Sequence, residues 1–457
     1  MKNNSFICAG ARVLLAIAAT LLVVELSPKA WAGGAVQFGP ATNFATGNNP
    51  GAIAVGDFNH DGKPDIVVMT GAGVSLLLNL GNGVLADPTN SPALFSYGGA
   101  IAAGDFNNDG KLDIVDVSDT SSTPGGSILF GDGNGFFPAR TNLSYSYYAG
   151  SVVVGDFNRD GNLDLAIGNS GYVTVALGRG DGSFGSPTNY TLNAIRANTD
   201  MRAADVYGHG RTDLVVSVNS SANSNCFCVL SNKSDGTFAV SQYFAAGGRS
   251  ENHYSLEAGD FNADGNQDVA VLNYNAQSAT IWINSGNGNF IPTHEYQLGF
   301  SPANIIKEDF NGDGKIDLII RGGSVARVLL GDGDGTFTLN PQWTISTDTY
   351  NYGTSVTVGD FNSDGMPDLA IVNYTSNSVA IMLNQTPPTL QMSVLAGYNQ
   401  ISWLNTFGLG YSLEYTTNLA TPASWQPFPY PPVLIGNQKA IADWADGGQK
   451  FYRLKKP

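Results

Sequence analysis

GDFNHDGKPDIVV, which runs from Gly56 to Val68, places a short acidic loop directly before an apolar run. Asp57, Asn59, Asp61 and Asp65 occupy positions 1, 3, 5 and 9 of this loop, and Gly62 stands at position 6. Oxygen donors at every second position, with a glycine for the sharp turn, are what Ca²⁺ requires. The stretch therefore predicts a calcium loop that leads into a β-strand.

The acidic loop returns along the chain at spacings of 48 to 55 residues. The copies begin at Asp57, Asp105, Asp156, Asp205, Asp260, Asp309 and Asp360. Around most copies an apolar strand precedes the loop, and two more strands, a Gly-rich turn and a Phe-led fourth segment follow it. Units of roughly fifty residues with four strands are typical of β-propeller blades. The inner strands are apolar at nearly every residue, so we expect them to be covered on both faces.

The two ends of the repeat region complement each other. The seventh unit stops at IMLNQTPP (381–388) without its fourth segment, and VQFGPATNFATG (Val36–Gly47) looks like that missing segment. We predict an all-β fold in which the N-terminal strand completes the last blade of a seven-bladed propeller. Such closure removes the open sheet edges that invite aggregation.

The regions outside the repeats have different compositions. Lys2 and Arg12 precede the apolar stretch Val13–Val24, and Ala30-Trp31-Ala32 is a small-x-small cleavage signal. Residues 1–32 are predicted to be a secretory signal peptide, because the apolar stretch is short for a membrane span of about 20 residues. The propeller is assigned to residues 33–386. Residues 389–457 are predicted to form a small β-sandwich that resembles fibronectin-type-III-like domains.

Six of the seven loops follow the pattern D-F-N-x-D-G-x-x-D, and each is predicted to bind one Ca²⁺. Positions 1, 3, 5 and 9 supply side-chain oxygens and position 7 a main-chain carbonyl. The alternative is a set of metal-free turns, but three carboxylates within nine residues repel one another. The predicted ligands are Asp57, Asn59, Asp61, Lys63, Asp65, Asp105, Asn107, Asp109, Lys111, Asp113, Asp156, Asn158, Asp160, Asn162, Asp164, Asp260, Asn262, Asp264, Asn266, Asp268, Asp309, Asn311, Asp313, Lys315, Asp317, Asp360, Asn362, Asp364, Met366 and Asp368.

The loop at Asp205 has lost two of its oxygen donors. Tyr207 and His209 stand at positions 3 and 5, between Asp205 and Asp213. We expect weak or absent calcium binding there, with a His–Asp site for a transition metal as the alternative.

D-F-N-x-D-G-x-x-D between strands, present in six of seven repeats, resembles the FG-GAP / VCBS repeat family, whose repeat type also builds the seven-bladed head of integrin α chains. The resemblance covers residues 36–385. It implies a calcium-loaded propeller of the kind that acts in adhesion or carbohydrate binding.

The end of the propeller opposite the acidic loops is the predicted ligand face. Connections between strands 2 and 3, or between successive blades, carry Tyr147, Tyr148, Tyr254, Tyr274, Tyr352 and Tyr374. Tyrosine offers an apolar ring with a polar tip, which suits both sugars and protein hot spots. Ordinary packing at blade edges is the alternative role.

The composition restricts the function. The net charge of −16 argues against nucleic acid and against anionic membrane surfaces as partners. Only four histidines occur, without a nucleophile elbow, zinc-ligand pair or phosphate loop. We predict a secreted or cell-surface monomer that is not inserted in the membrane after signal cleavage, and that binds a glycan or a cell-surface protein without catalysis. The alternative is a polysaccharide lyase that uses Arg249, Glu251, His253 and Tyr254.

Overall fold

The computed structural model describes residues 36–455 apart from 94–98, 118–124, 144–148, 170, 193–199, 219–224, 246–254, 346–354, 388–390, 396–397, 405–411, 418–424, 436–437 and 445–449. The predicted signal peptide, residues 1–32, lies outside the described residues. Within the part that is described, the regular structure is entirely β, and a helix able to cross a bilayer is not found.

The repeat region contains seven antiparallel sheets of four or five strands, numbered 1 to 7 along the chain. The strand β1 (Thr42–Ala45) precedes sheet 1. Sheet 1 contains β2 (Ile53–Gly56), β3 (Asp65–Thr70), β4 (Gly73–Leu77) and β7 (Thr89–Ser91), and the hairpin of β5 (Asn79–Gly81) and β6 (Val84–Leu85) between β4 and β7 is a separate two-stranded sheet. Sheet 2 contains β8 (Ala100–Gly104), β9 (Asp113–Val117), β10 (Gly126–Phe130) and β11 (Ala139–Leu143). Sheet 3 contains β12 (Ser151–Gly155), β13 (Asp164–Asn169), β14 (Tyr172–Ala176) and β15 (Thr188–Thr191). Sheet 4 contains β16 (Met201–Ala204), β17 (Asp213–Ser217), β18 (Asn225–Asn232) and β19 (Phe238–Ala245).

Sheet 5 contains β20 (Leu256–Gly259), β21 (Asp268–Asn273), β22 (Ser278–Asn284) and β23 (Phe290–Gln297). Sheet 6 contains β24 (Asn304–Glu308), β25 (Asp317–Gly322), β26 (Val325–Gly331), β27 (Phe337–Leu339) and β28 (Trp343–Thr344). Sheet 7 contains β29 (Val356–Gly359), β30 (Asp368–Asn373) and β31 (Ser378–Met382). The C-terminal segment forms β32 (Gln391–Leu395), β33 (Tyr398–Leu404), β34 (Ser412–Thr416), β35 (Gln426–Pro427), β36 (Val433–Ile435), β37 (Gln438–Trp444) and β38 (Phe451–Lys455).

The second strand of each sheet lies in the core. In β3 every residue from Asp65 to Thr70 is buried, and the same holds for β9, β13, β17, β21, β25 and β30. Burying one Val, Leu or Ile side chain contributes about 1.5–3 kcal/mol, so these strands carry much of the stability. The prediction that apolar strands are covered on both faces is confirmed.

Neighbouring sheets pack face to face through shared apolar clusters. A separate cluster joins each consecutive pair from sheets 1 and 2 to sheets 6 and 7. A further cluster, which includes Ile66 and Phe361, joins sheet 7 back to sheet 1. The first strands contact one another in the order β2, β8, β12, β16, β20, β24 and β29, and β29 again contacts β2. This arrangement of four-stranded sheets is that of a β-propeller.

The N-terminal strand belongs to the last sheet. Thr42 to Ala45 of β1 pair with Ile381 to Ser378 of β31, so the order in sheet 7 is β1-β31-β30-β29. The pairing expected from the two ends of the repeat region is therefore present. It joins segments more than 330 residues apart and gives β31 a partner on its outer side.

The C-terminal segment forms two antiparallel sheets of its own, β32-β33-β37-β36 and β35-β34-β38. Ile401, Trp403 and Ile441 from the first sheet share an apolar cluster with Leu413 from the second. Two sheets around one core have the layered form of a β-sandwich. The likeness to fibronectin-type-III-like domains and the domain limits stay predictions.

Candidate functional site

The first acidic loop, between β2 and β3, is held by bonds from its side chains to its own backbone. The Asp57 carboxylate accepts hydrogen bonds from the N–H groups of Asp61 (3.0 Å) and Gly62 (2.9 Å). Asn59 Oδ1 also accepts from the Asp61 N–H, and Asp61 Oδ1 accepts from the Lys63 N–H, both at 3.0 Å. The oxygens at positions 1, 3 and 5 therefore converge on one short turn. Loops 2, 3, 5, 6 and 7 repeat these bonds from positions 1, 3 and 5.

Backbone conformation explains the glycine at position 6. Gly62 has φ +82°, while a Cβ added to it would meet no atom within 4 Å. Glycine is required at this position for its backbone conformation and not for lack of space, because residues with a Cβ are strained at this φ. The position-4 residue His60 also has a positive φ, of +59°.

The position-9 aspartates connect the loops to the sheets through hydrogen bonds. Asp65 is fully buried, and its Oδ2 accepts from the Phe58 N–H (3.0 Å) while its Oδ1 accepts from the Asn79 N–H (2.7 Å). The same two kinds of bond recur at Asp113, Asp164, Asp268, Asp317 and Asp368. An ionised carboxylate has about four lone-pair sites, so a cation can still bind beside these donors.

The electrostatics of the loops favour a cation. Burial, together with the negative charges of Asp61 and Asp57, raises the pKa of Asp65 to about 6. The same causes raise the pKa of Asp317 to about 7 and that of Asp368 to about 8. A divalent cation among these carboxylates stabilises their ionised forms. The donor set of carboxylates, one amide oxygen and one main-chain carbonyl therefore fits Ca²⁺.

Calcium binding itself stays a prediction. The described residues contain no group of three or more His, Cys, Asp or Glu side chains close enough together to hold a metal ion. The predicted calcium set also uses Asn oxygens and main-chain carbonyls. In three loops a lysine ammonium lies near the position-5 carboxylate, at 2.8 Å for Lys63 and Asp61.

The fourth loop is closed by different groups. Asp205 still accepts from the N–H groups of His209 (3.0 Å) and Gly210 (2.6 Å). The rings of Tyr207 and His209 stack at 5.9 Å, and the guanidinium of Arg159, from loop 3, donates to the Gly210 carbonyl. A side-chain cation thus contacts the loop that lacks two oxygen donors. Weak or absent calcium binding at this loop stays a prediction.

Position 4 connects neighbouring loops. His60 Nε2 lies 3.0 Å from the Gly110 carbonyl of loop 2, and Asn108 Nδ2 donates to Asn162 Oδ1 of loop 3 at 2.8 Å. Arg159 continues the series from loop 3 to loop 4. Ala263 of loop 5 has no side chain long enough for such a contact.

The predicted tyrosine face is described only in part. Tyr274 and Tyr374 begin the turns between the second and third strands of sheets 5 and 7, and both are half-buried. These turns lie at the opposite end of the sheets from the acidic loops. Sheet 6 stands between them, so the two rings belong to non-adjacent sheets. Tyr147, Tyr148, Tyr254 and Tyr352 lie outside the described residues.

The residues of the enzymatic alternative, Arg249, Glu251, His253 and Tyr254, also lie outside the described part of the chain. The three described histidines stand on different sheets. His60 contacts a main-chain carbonyl, His209 stacks on Tyr207, and His294 stacks on Tyr296 at 6.1 Å.

A charged cluster near the inner strands was missed by sequence reasoning. Arg202 in β16 contacts Asp200 (2.6 Å) and Glu257 of β20 (2.9 Å), and Lys307 of β24 lies 3.7 Å from Glu257. The equivalent positions of sheets 1 to 3 carry Ala or Val. That departure from the repeat is the sequence signal that could have revealed the cluster.

Fold and loops together define a β-propeller with an acidic loop between the first and second strands of its repeat. The chain belongs to the FG-GAP-like repeat family, which matches residues 57–115, 156–216, 205–271 and 309–390, more than half of the sequence. The resemblance noted from the motif is thereby confirmed. No curated protein sequence matches the chain.

Several solved structures are similar to this chain. One is an Agrocybe aegerita lectin whose structure concerns the recognition of non-reducing terminal N-acetylglucosamine. It is 20% identical to this chain, with 79% of this chain and 88% of that chain covered and a TM-score of 0.49. BBS1N, solved in complex with ARL6DN, is 11% identical over 77% of this chain and 97% of that chain, with a TM-score of 0.53. A functionally unknown protein from Desulfotomaculum acetoxidans is 12% identical over 74% and 100%, with a TM-score of 0.44. At these identities the similarity concerns the fold alone.

Proposed function

We propose that this protein is an exported, calcium-stabilised binding module whose ligand is a glycan and which performs no chemistry of its own. The observation that carries the proposal is a recurring loop pattern: three aspartates and one asparagine within nine residues, in each of six loops on one end of the propeller. A cation that binds there in the folded state alone stabilises the fold by mass action. The opposite end, with its tyrosine-bearing turns, is then left for a ligand.

We infer a non-catalytic role from the surroundings of the side chains that enzymes commonly use in catalysis. The described histidines are dispersed over sheets 1, 4 and 5 and each has a structural contact. The thiol of Cys228 is buried, which raises its pKa far above the range of a nucleophile. The net charge of −16 disfavours polyanionic ligands, so nucleic acid is not the proposed partner.

The proposal is tested by affinity electrophoresis of the mature, calcium-loaded protein through gels that contain a panel of polysaccharides. We expect retardation by at least one glycan, and loss of that retardation in EDTA. Free migration in every gel would contradict a glycan ligand and leave a cell-surface protein as the partner to test. Release of unsaturated, ultraviolet-absorbing sugars would contradict the non-catalytic role.

A further inference from the structure

A groove of about 690 Å³ opens between the outer part of sheet 6 and the N-terminal strand of sheet 7. Its walls come from three segments that are distant in sequence: the stretch around β1, the short strand β28, and the turn 373–378 between β30 and β31. The volume lies within the range of roughly 300–1,000 Å³ that ligand pockets occupy. The groove exists only because β1 pairs with β31.

One side of the groove is aromatic and firmly anchored. Phe38 stacks on Trp343 with ring centroids 5.8 Å apart and an angle of 15° between the planes. Phe38 also meets buried Phe310 edge-on at 6.2 Å, and both Phe38 and Trp343 pack against the apolar cluster between sheets 6 and 7. Phe44 borders the groove, but its side chain packs against the cluster between sheets 7 and 1. Rigid, half-buried rings of this kind offer a flat apolar surface at little cost in conformational entropy.

The other side is polar and held in place by the backbone. Asn43 Oδ1 accepts from Asn373 Nδ2 at 3.2 Å, and Ser376 Oγ lies 2.8 Å from Ser378 Oγ. Asn377 accepts at Oδ1 from the Asn49 N–H (2.8 Å) and at its carbonyl from the Thr46 N–H (2.9 Å). These bonds tie the turn to the segment after β1, so the amide and hydroxyl groups are positioned before a ligand arrives.

None of the described lining residues is ionisable, although the chain as a whole carries a net charge of −16. An anionic ligand would find no counter-charge there and would be repelled by the surrounding field. The indole Nε1 of the lining residue Trp343 is buried and has no hydrogen-bond partner among the described residues, so Trp343 contributes its ring face and not a hydrogen-bond donor. An aromatic surface opposite neutral amides and hydroxyls matches a neutral sugar, whose C–H face is apolar and whose edge is hydroxylated.

A peptide added to the edge of sheet 7 fits less well. The edge strand β1 has only four residues, and Pro40 stands just before it. Short edge strands flanked by proline are poor templates for an added strand. We propose that this groove, called the closure groove, binds a residue of a neutral, uncharged glycan. The inference rests on the proposed function, because it names the ligand class and the site of the same binding activity.

The test uses the full mature chain in calcium and measures binding of cellohexaose, xylohexaose, mannohexaose and chitohexaose by calorimetry, with hexagalacturonate as the acidic contrast. Asn43→Ala removes an exposed amide of the groove, and Trp343→Leu removes the stacking ring. Asn189→Ala is the matched control, because Asn189 occupies the equivalent outer strand of sheet 3, is exposed, and accepts a comparable bond from Thr174 at 2.8 Å. Thermal melts of all three variants establish that they are folded.

We expect at least one neutral hexasaccharide to bind, with affinity reduced about tenfold or more in Asn43→Ala and Trp343→Leu and nearly unchanged in Asn189→Ala. Undiminished binding in both groove variants would overturn the closure groove while leaving the proposed glycan-binding function intact. Binding of hexagalacturonate alone would overturn the neutral class. Failure of every sugar to bind, together with free migration in the affinity gels, would overturn the groove and the proposed function together.

Discussion

At the scale of single residues, the aspartates of the acidic loops have two separable roles. Position 1 accepts two N–H groups of its own loop, and position 9 accepts one from the loop and one from a residue 14 to 19 positions further along. Both roles exist without a cation, since the donors are main-chain groups. We therefore expect calcium binding to add stability to a loop whose conformation is already held by its own hydrogen bonds.

Loops 4 and 5 provide a matched pair that separates these roles. Asp205 and Asp260 each accept two N–H groups from their own loops, but only loop 5 keeps every predicted calcium donor. We expect Asp205→Ala and Asp260→Ala to destabilise the protein similarly in EDTA, by about 1–3 kcal/mol. In calcium, Asp260→Ala should lose one bound ion of the expected six and Asp205→Ala none, as measured by calcium titration. Equal ion loss in both variants would show that loop 4 binds calcium.

Asp116 is a buried acid that is not among the predicted calcium ligands. It is fully buried on β9, accepts from the Ser127 backbone N–H at 2.9 Å and from the Ser127 hydroxyl, and its Oδ2 has no partner among the described residues. Burial raises the pKa of Asp116 to about 6. Because the folded state prefers the protonated acid, its contribution to stability falls as the pH rises from about 4 to about 6.

Asp116→Asn is therefore expected to raise the free energy of unfolding at pH 7 by about 1–3 kcal/mol, and by much less at pH 4. Denaturant unfolding of both proteins across this range measures the difference. Asp87→Asn, at an exposed position, serves as the control for a general change in charge. An equal gain at pH 4 and pH 7 would contradict burial of an ionised group as the cause.

At the scale of the strand, β1 decides whether the last sheet has an open edge. Its four residues pair with β31, and Phe44 packs against the cluster between sheets 7 and 1. Removal of residues 36–46 should expose β31, lower the melting temperature by about 10 °C or more, and promote concentration-dependent aggregation. Differential scanning calorimetry and light scattering measure the two effects.

A peptide of residues 36–47 added in trans is expected to restore part of the lost melting temperature, because it can pair with β31. A scrambled peptide of the same composition is its control. Unchanged melting after the truncation would mean that the β1–β31 pairing contributes little to the ring.

At the scale of the whole molecule, the six complete loops lie on one end of a ring whose sheets are fastened by apolar clusters. When the free Ca²⁺ concentration is 100 times the Kd of a site, binding at that site adds about 2.7 kcal/mol to the free energy of unfolding. We expect EDTA to lower the melting temperature markedly, and excess Ca²⁺ to restore it while Mg²⁺ does so less well, since Mg²⁺ demands a stricter geometry. An unchanged melt in EDTA would contradict the calcium assignment.

Local patterns were readable from the sequence because the strand and the acidic loop are each encoded within about ten residues. Val67 and Val68 in an unbroken apolar run indicated a doubly covered strand, and the Gly62 position indicated a sharp turn; both are found. The pairing of Thr42–Ala45 was also readable, since one repeat lacked its last strand and the N-terminus offered a copy. These predictions needed only the repetition of a short unit.

The tertiary structure alone decided the features that depend on packing between units. Arg202, Glu257 and Lys307 meet because three inner strands are neighbours in the ring, and Asn43 meets Asn373 because closure brings residues 330 positions apart together. The aromatic wall of Phe38 and Trp343 arises in the same way. The sequence by itself determined the repeat, the acidic loops and the all-β class, because these follow from periodicity along the chain. The closure groove and the charged cluster follow from contacts across it, which periodicity does not encode.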